Sequence, residues 1–125
     1  MSVAGVAAAQ APASAAGAYG SSTSCTVGGS KVTIAPHFGV SGTKRNVDGY
    51  SFYTSPTRKI TYVYEQVYGI TTAQTYGTQT SPNATSAVRA DLGRYYPWSA
   101  SGTVLVNFKI GDGAGNYCWT GPVQV

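Results

Sequence analysis

Charged side chains are scarce in this chain of 125 residues, which contains eight Lys or Arg, four Asp or Glu and one His. The first charged residue is Lys31. Disordered tails combine high net charge with few aromatic residues, whereas this chain has a net charge of +4 and is 12% aromatic. The composition therefore predicts one folded domain, and its abundant Thr, Ser, Gly and Tyr are typical of extracellular β-proteins.

Groups suited to catalysis or metal binding are equally few. His37 is the sole histidine, so acid–base chemistry through imidazole must use it. Two cysteines and one histidine cannot supply four zinc ligands, and the sequence contains no G-x-S-x-G motif. We therefore predict a protein that is not an enzyme and that uses no metal or cofactor. The alternative is a small secreted hydrolase using His37 with Asp48, Asp91 or Glu65.

No apolar run approaches the roughly 20 residues that cross a bilayer, so we expect no membrane span. Residues 13–15 (Ala-Ser-Ala) fit a signal-peptide cleavage site, although no basic residue precedes the apolar stretch. We interpret residues 1–15 as the remnant of a secretory signal peptide, or else as a disordered arm. Their alanine-rich composition is similar to that of leaders on secreted proteins of high-GC Gram-positive bacteria. Residues 16–24 are expected to be flexible and residues 25–125 to fold, in a secreted, bacterial protein.

Export favours a disulfide between the two cysteines, Cys25 and Cys118. They lie near opposite ends of the folded region, and bridged Cα atoms lie within about 7 Å of each other. We therefore expect the first strand to lie beside or across from the last. Two free thiols are the alternative.

Alternating hydrophobicity is clearest over residues 102–110. It predicts a strand with one core face, formed by Val104, Val106, Phe108 and Ile110. The glycine-rich residues 111–116 then predict a hairpin turn, followed by a return strand through residues 117–120.

A second long strand is predicted over residues 58–68, and its two faces differ in charge. Lys59 and Glu65 mark one face as hydrated, so we expect the tyrosine-bearing face to pack in the core. That face carries Ile60, Tyr62, Tyr64 and Tyr68. The opposite assignment would place three tyrosines on an exposed sheet, as on many glycan-binding surfaces.

Shorter strands are predicted at residues 31–35, 50–54, 71–76 and 84–92, although residues 86–92 could instead form one helical turn. Short strands separated by turns predict an all-β fold, either a small single-domain antiparallel β-sandwich or a small barrel, with one disulfide. The sandwich would be only loosely immunoglobulin-like. In immunoglobulin domains the conserved Trp lies between the cysteines, whereas Trp119 follows Cys118 here.

Two surface features are suited to binding. Residues 94–98 place three aromatic rings and a cation around Pro97, and Arg, Tyr and Trp are enriched in interface hot spots. We predict an exposed loop there, or else a loop that covers the end of the core. Two dibasic pairs flank residues 50–53 and would form one cationic patch for an anionic surface, or else remain solvated charge. The predicted binding residues are Arg94, Tyr95, Tyr96, Trp98, Lys44, Arg45, Arg58 and Lys59.

These features predict a secreted, non-catalytic binding module. It would engage a protein partner or a cell-surface glycan through aromatic and basic loops, including as an adaptor subunit of an extracellular assembly. In that role residues 16–24 could add as a strand to a partner's sheet. A small secreted inhibitor or antibacterial effector is an alternative, as is the hydrolase using His37. We expect no nucleic-acid partner, because export separates the protein from nucleic acid.

Overall fold

The computed structural model describes residues 18–41, 44–69, 75–99 and 104–124, with side chains for residues 20–39, 46–69, 75–93 and 104–124. Within these ranges the chain is all β-strand, turn and loop, with no helix. Residues 86–92 are therefore strand and not a helical turn. The strands are β1 (Ala18–Tyr19), β2 (Thr23–Val27), β3 (Ser30–Ser41), β4 (Lys44–Ser55), β5 (Tyr62–Gly69), β6 (Thr75–Thr80), β7 (Ser86–Ser99), β8 (Val104–Gly111), β9 (Tyr117–Trp119) and β10 (Val123–Gln124).

These strands form two antiparallel sheets of five strands each. In the first sheet, β3 lies between β4 and the short strands β1 and β2, and β7 pairs with the far side of β4. In the second sheet the order is β9–β8–β5–β6, and β10 also pairs with β8. The predicted hairpin is β8–β9, and its turn contains Gly113 and Gly115 at φ of 77° and 93°, which glycine adopts without steric cost.

The hydrophobic core lies between the two sheets and receives side chains from both. The predicted core face of β8 is confirmed, because Val104, Val106, Phe108 and Ile110 are at most 1% exposed. The ring of Tyr50 on β4 meets the ring of Phe108 edge-on, with centroids 6.1 Å apart. The predicted sandwich-like all-β fold is therefore confirmed.

The predicted orientation of the second long strand is wrong. This strand is β5, and its buried face carries Val63, Glu65 and Val67, all 0% exposed. Its tyrosines are half-buried on the outer face of the second sheet. Only Ile60, which precedes β5 and forms an isolated bridge with Ala84, is buried as expected.

The reason for this difference is the register between β5 and β8. Directly opposed residues of neighbouring strands point to the same face of a sheet. Val63 is opposite Ile110 and Val67 is opposite Val106. Because those β8 residues face the core, the alternate residues of β5 must also face it, and Glu65 opposite Phe108 is carried inward with them.

Two strands of the first sheet are longer than predicted, and a predicted loop is a strand. β3 and β4 contain 12 residues each. Residues 94–98 form the end of β7, an edge strand, so the aromatic loop prediction is wrong. Aromatic residues favour strands, and an edge strand tolerates the missing N–H of Pro97.

Part of the segment predicted to be flexible is also strand. Ala18 and Tyr19 pair with Phe38 and His37 of β3, and Gly20 N donates to Pro36 O at 2.7 Å. Extended residues at a sheet edge complete their backbone hydrogen bonds by pairing, and here they pair within their own chain. The signal-peptide prediction for residues 1–15 lies outside the described residues, as do residues 71–74 of the strand predicted over 71–76.

The predicted disulfide is confirmed. Cys25 on β2 and Cys118 on β9 are bonded, with Cα atoms 5.9 Å apart. Because β2 belongs to the first sheet and β9 to the second, this bond joins the two sheets at one edge. No helix in the described ranges is long and apolar enough to cross a membrane.

Replacing both Cys25 and Cys118 with alanine should strongly destabilise the fold. The bond closes a span of 93 residues, for which restriction of the unfolded chain contributes up to about 4–5 kcal/mol. Urea denaturation should show this loss, whereas Thr26→Ala, an exposed neighbour on β2, should stay within about 0.5 kcal/mol of wild type. A double variant as stable as the wild type would contradict this role for the bond.

Candidate functional site

The two dibasic pairs do not form the single cationic patch that the sequence predicted. Lys44 and Arg45 begin β4, whereas Arg58 and Lys59 follow its end. A strand rises about 3.4 Å per residue, so the length of β4 separates the pairs by roughly 35 Å. β4 forms its hairpin with β3, and the turn of that hairpin lies at the Lys44 end of β4. The hairpin therefore leaves Arg58 and Lys59 at the opposite end.

Arg58 is part of a structural contact. Its guanidinium donates to Asp112 Oδ2 at 2.9 Å and to Ser30 Oγ at 3.2 Å. Asp112 also accepts hydrogen bonds from the Asn116 side chain and from the backbone N–H groups of Ala114 and Asn116. These hydrogen bonds lower the pKa of Asp112 to about 2, and the bond from the Asn116 side chain has the largest effect. Arg58 thus helps to fix the β8–β9 turn.

The other two predicted segments lie side by side. The backbone register of β4 and β7 places Arg45 opposite Trp98 and Lys44 opposite Ser99. The first dibasic pair and the aromatic segment of residues 94–98 therefore share one end of the first sheet. Their side chains lie outside the described part of the structure, and their role in binding stays a prediction.

The largest described cluster of outward aromatic side chains is on the second sheet. We call it the aromatic face, and it consists of Tyr62, Tyr64, Tyr68, Tyr117 and Trp119. The last two, on β9, are the most exposed, at 58% and 47%. Strand register aligns the members in rows, because Trp119, Lys109 and Tyr64 are neighbours across β9, β8 and β5.

Two glycines allow the tyrosine rings to lie across the sheet. A Cβ added at Gly111 would overlap the Tyr62 ring, and one added at Gly77 would overlap the hydroxyl end of Tyr64. Each ring therefore covers the backbone of a neighbouring strand, on β8 and β6 respectively. Aromatic side chains that cover strand glycines in this way are a known device for stabilising sheets.

Contacts within the aromatic face hold its rings in place. Tyr64 and Trp119 meet edge-to-face, with centroids 6.2 Å apart and an interplanar angle of 82°. The Lys109 ammonium lies 4.7 Å from the centroid of the Tyr117 ring, within the range of a cation–π interaction. The face is thus a pre-arranged aromatic surface.

The polar groups between these rings are mostly neutral. Gln66 and Asn107 are opposite each other on β5 and β8, and Gln79 on β6 is opposite Tyr64. The buried Asn107 Oδ1 has no hydrogen-bond partner. Among the described residues in these rows, Lys109 is the charged one, and its ammonium group lies over the Tyr117 ring.

The sequence prediction missed Tyr117 and Trp119, although a signal for them was present. Alternation along a strand places residues 117 and 119 on the face opposite to Cys118. The disulfide turns Cys118 toward the core, so its neighbours must point outward. Likewise, pairing of β5 with the well-defined strand β8 would have assigned the tyrosines of β5 to the outer face.

A second cluster, which we call the polar cluster, consists of His37, Asp48, Arg89 and Asp91. His37 Nδ1 lies 2.5 Å from Asp48 Oδ1, and Arg89 bridges Asp48 and Asp91 with two contacts of 3.1 Å. His37 is 5% exposed. The structure therefore brings together three residues of the hydrolase alternative, His37, Asp48 and Asp91.

An irregularity in the first sheet creates this arrangement. Asp48 has no partner in either ladder, because Val47 and Gly49 pair with consecutive residues of β3. On the other side of β4, Gly49 is opposite Asp91 and Val47 is opposite Tyr96. Two steps along β4 therefore correspond to five steps along β7, so β7 contains extra residues here. Such bulges redirect side chains, and this one directs Asp48 toward His37 and Arg89.

Glu65 lies in the core near this cluster. Neither of its carboxyl oxygens has a hydrogen-bond partner. Burial raises the pKa of Glu65 well above its ordinary value, and the negative charge of Asp48 raises it further. Nearby, Tyr50 Oη lies 2.6 Å from Thr80 Oγ1, and burial raises the pKa of Tyr50 to about 12.

The chemical capacity of these two clusters differs. A buried His–Asp pair fixes the orientation of an imidazole, but the low exposure of His37 leaves little of its ring open to a substrate. Among the described residues, no group of three or more His, Cys, Asp or Glu is arranged to hold a metal ion. The aromatic face, in contrast, is open to solvent at Tyr117 and Trp119.

Comparisons of the chain with protein-family models, with curated proteins and with solved structures found no match. The functional assignment therefore depends on the geometry of the described side chains. That geometry favours the aromatic face over the polar cluster as the candidate functional site.

Gly77→Ala should displace the Tyr64 ring at little cost in stability. The added methyl would overlap the far end of a flexible side chain, so the ring can rotate away, with loss of an edge contact worth about 0.5–1.5 kcal/mol. The Trp119 indole N–H signal in NMR spectra should shift. Gly39→Ala, on β3 with open space around the added Cβ, should leave that signal unchanged. An unshifted signal in Gly77→Ala would be inconsistent with the ring position.

Proposed function

We propose that this protein is a secreted, non-catalytic binding module that recognises a neutral glycan chain through the aromatic face. The observation that carries the proposal is the outward orientation of the tyrosines of β5 beside Tyr117 and Trp119. Sugar rings have apolar faces that stack on aromatic rings, and Tyr and Trp present large contact areas at low entropic cost.

The charge of the face favours a neutral ligand. Gln66 and Gln79 offer amide donors and acceptors, which suit sugar hydroxyls. Lys109 is engaged with the Tyr117 ring, so the face contains no cluster of cations that would select phosphate or carboxylate groups. A polyanion would gain little from this surface.

The rigidity of the face supports binding. Rings held by glycine contacts and by the Tyr64–Trp119 pair lose little conformational freedom when a ligand binds. The disulfide tethers β9, which carries the two most exposed rings of the aromatic face, to the first sheet. Export is consistent with this bond, because disulfides persist in oxidising compartments.

A second binding surface is proposed at the end of the first sheet that carries residues 94–98. The register places Arg45 beside Trp98 in the β4–β7 pair. Together with Lys44 and Arg94, these residues supply cations and aromatic rings suited to an anionic surface or an acidic protein partner.

Trp119→Ala should weaken binding to a neutral oligosaccharide at least about tenfold, because truncating a central aromatic anchor removes one or more kcal/mol. The measurement is isothermal titration calorimetry with hits from an array of neutral gluco-, manno-, galacto- and N-acetylglucosamine oligomers. Tyr53→Ala is the control, since Tyr53 is an exposed aromatic residue on the other sheet, with 55% of its surface accessible against 47% for Trp119.

The proposal would be overturned if Trp119→Ala and Tyr117→Ala both bound like the wild type. Binding lost only in Trp98→Ala and Tyr96→Ala would assign recognition to the second surface. Binding of polyphosphate but of no neutral oligomer would give the same assignment and favour an anionic partner.

A further inference from the structure

Glu65 is a carboxyl group that the proposed binding function does not use. It lies in the middle of β5 between the core residues Val63 and Val67 and is 0% exposed. Both of its oxygens lack a hydrogen-bond partner. A carboxylate in such a site would lose its hydration with nothing in exchange, so the site accommodates the neutral, protonated acid.

The charged and titratable groups around Glu65 reinforce this preference. On β4 the nearest are Asp48, whose charge opposes ionisation of Glu65, and Tyr50. On β3 and β7, His37 and Arg89 contact Asp48, and Arg89 also contacts Asp91. Lys109 of β8 is opposite Tyr64, on the other face of the second sheet, and the titratable group on β6 is Tyr76, opposite Val67. None of these groups donates a hydrogen bond to either carboxyl oxygen of Glu65.

The position of Glu65 links it to the aromatic face. Tyr64 and Gln66, its immediate neighbours on β5, belong to the outer surface, and β5 is the central strand between β8 and β6. A strand cannot move one face without the other, because consecutive side chains share one backbone. Any shift that brings the Glu65 carboxylate to water must therefore displace Tyr64, which contacts Trp119.

We propose that Glu65 makes the aromatic face pH-dependent: the protonated acid keeps β5 seated in the core, and ionisation at higher pH displaces β5 and weakens glycan binding. This regulation rests on the glycan-binding function proposed above. The rings of the aromatic face are aligned at acidic pH, and this alignment is lost as the pH rises and Glu65 ionises.

The direction follows from proton linkage. In the unfolded chain a glutamate ionises near its ordinary pKa of 4.5, whereas burial raises the pKa of Glu65 in the folded protein. Between these two values the folded state binds one more proton than the unfolded state, so the unfolding equilibrium constant rises about tenfold per pH unit. Stability from this group is full below pH 4.5 and declines above it.

The test follows the Trp119 indole N–H signal and the carboxyl carbon of Glu65 by NMR from pH 4 to pH 9. We expect Glu65 to titrate well above 4.5 and the Trp119 signal to change over the same pH range. In Glu65→Gln, which keeps the size of the side chain and cannot ionise, the Trp119 signal should not respond. Asp91→Asn is the matched control, because it converts a carboxylate to an amide at a 73% exposed side chain and should keep the response.

Three results would overturn the proposal: a Glu65 titration near 4.5, a Trp119 signal that ignores the Glu65 titration, or an unchanged pH response in Glu65→Gln. If Glu65→Gln does not fold, the wild-type titration of both signals still decides between the first two and the expected result. Loss of the response in Asp91→Asn would assign it to the polar cluster instead.

A ligand measurement completes the test. The dissociation constant for the neutral oligosaccharide should rise toward tenfold per pH unit above the Glu65 titration in the wild type and stay level in Glu65→Gln. If no oligosaccharide binds at any pH, the glycan-binding proposal fails, while the NMR result still reports whether Glu65 controls the aromatic face. Tight binding that is independent of pH would overturn the regulation alone.

Discussion

The packing of β8 against the first sheet is the contact on which the rest of the second sheet depends. Four alternate apolar side chains of this strand are buried, and every other strand of the sheet is paired directly to β8 or to its neighbour β5. Once β8 is oriented, register determines which residues of β5 and β9 face the core. The outward tyrosines, the outward Trp119 and the inward Glu65 are three consequences of that one orientation.

The orientation of β5 buries Glu65 and, on the opposite face of the strand, turns the tyrosines of the aromatic face outward. A strand with the opposite orientation would hydrate Glu65 but would expose Val63 and Val67 and force three tyrosine rings between the sheets. Fully burying one valine is favourable by about 1.5 kcal/mol or more, and both valines meet apolar partners on β8. A buried neutral carboxyl without hydrogen-bond partners costs about 1–3 kcal/mol, which burial of the two valines offsets, whereas the charged form would cost far more.

Several charged side chains in the described part of the chain form structural contacts. Arg58 and Asp112 fix the turn that leads into β9, and Asp48 joins His37 to Arg89 at the bulge of the first sheet. The outer surface of the second sheet, in contrast, is dominated by rings and amides. Aromatic rings and amides on one sheet, and the cationic residues at one end of the other, are two chemically distinct sets of residues.

The sequence by itself determined the all-β class, the β8–β9 hairpin, the core face of β8 and the pairing of Cys25 with Cys118. Each of these depends on local alternation, on turn residues or on cysteine chemistry. It did not determine the orientation of β5, because a charged Glu65 indicates a hydrated face locally and only pairing with β8 overrides that preference. It also placed residues 94–98 in a loop, since Pro97 is compatible with strand only at a sheet edge. Alternation around Cys118 indicates that Tyr117 and Trp119 point outward, but the assembly of the aromatic face and of the polar cluster was decided by the tertiary structure, because each joins residues from several strands whose register no local pattern specifies.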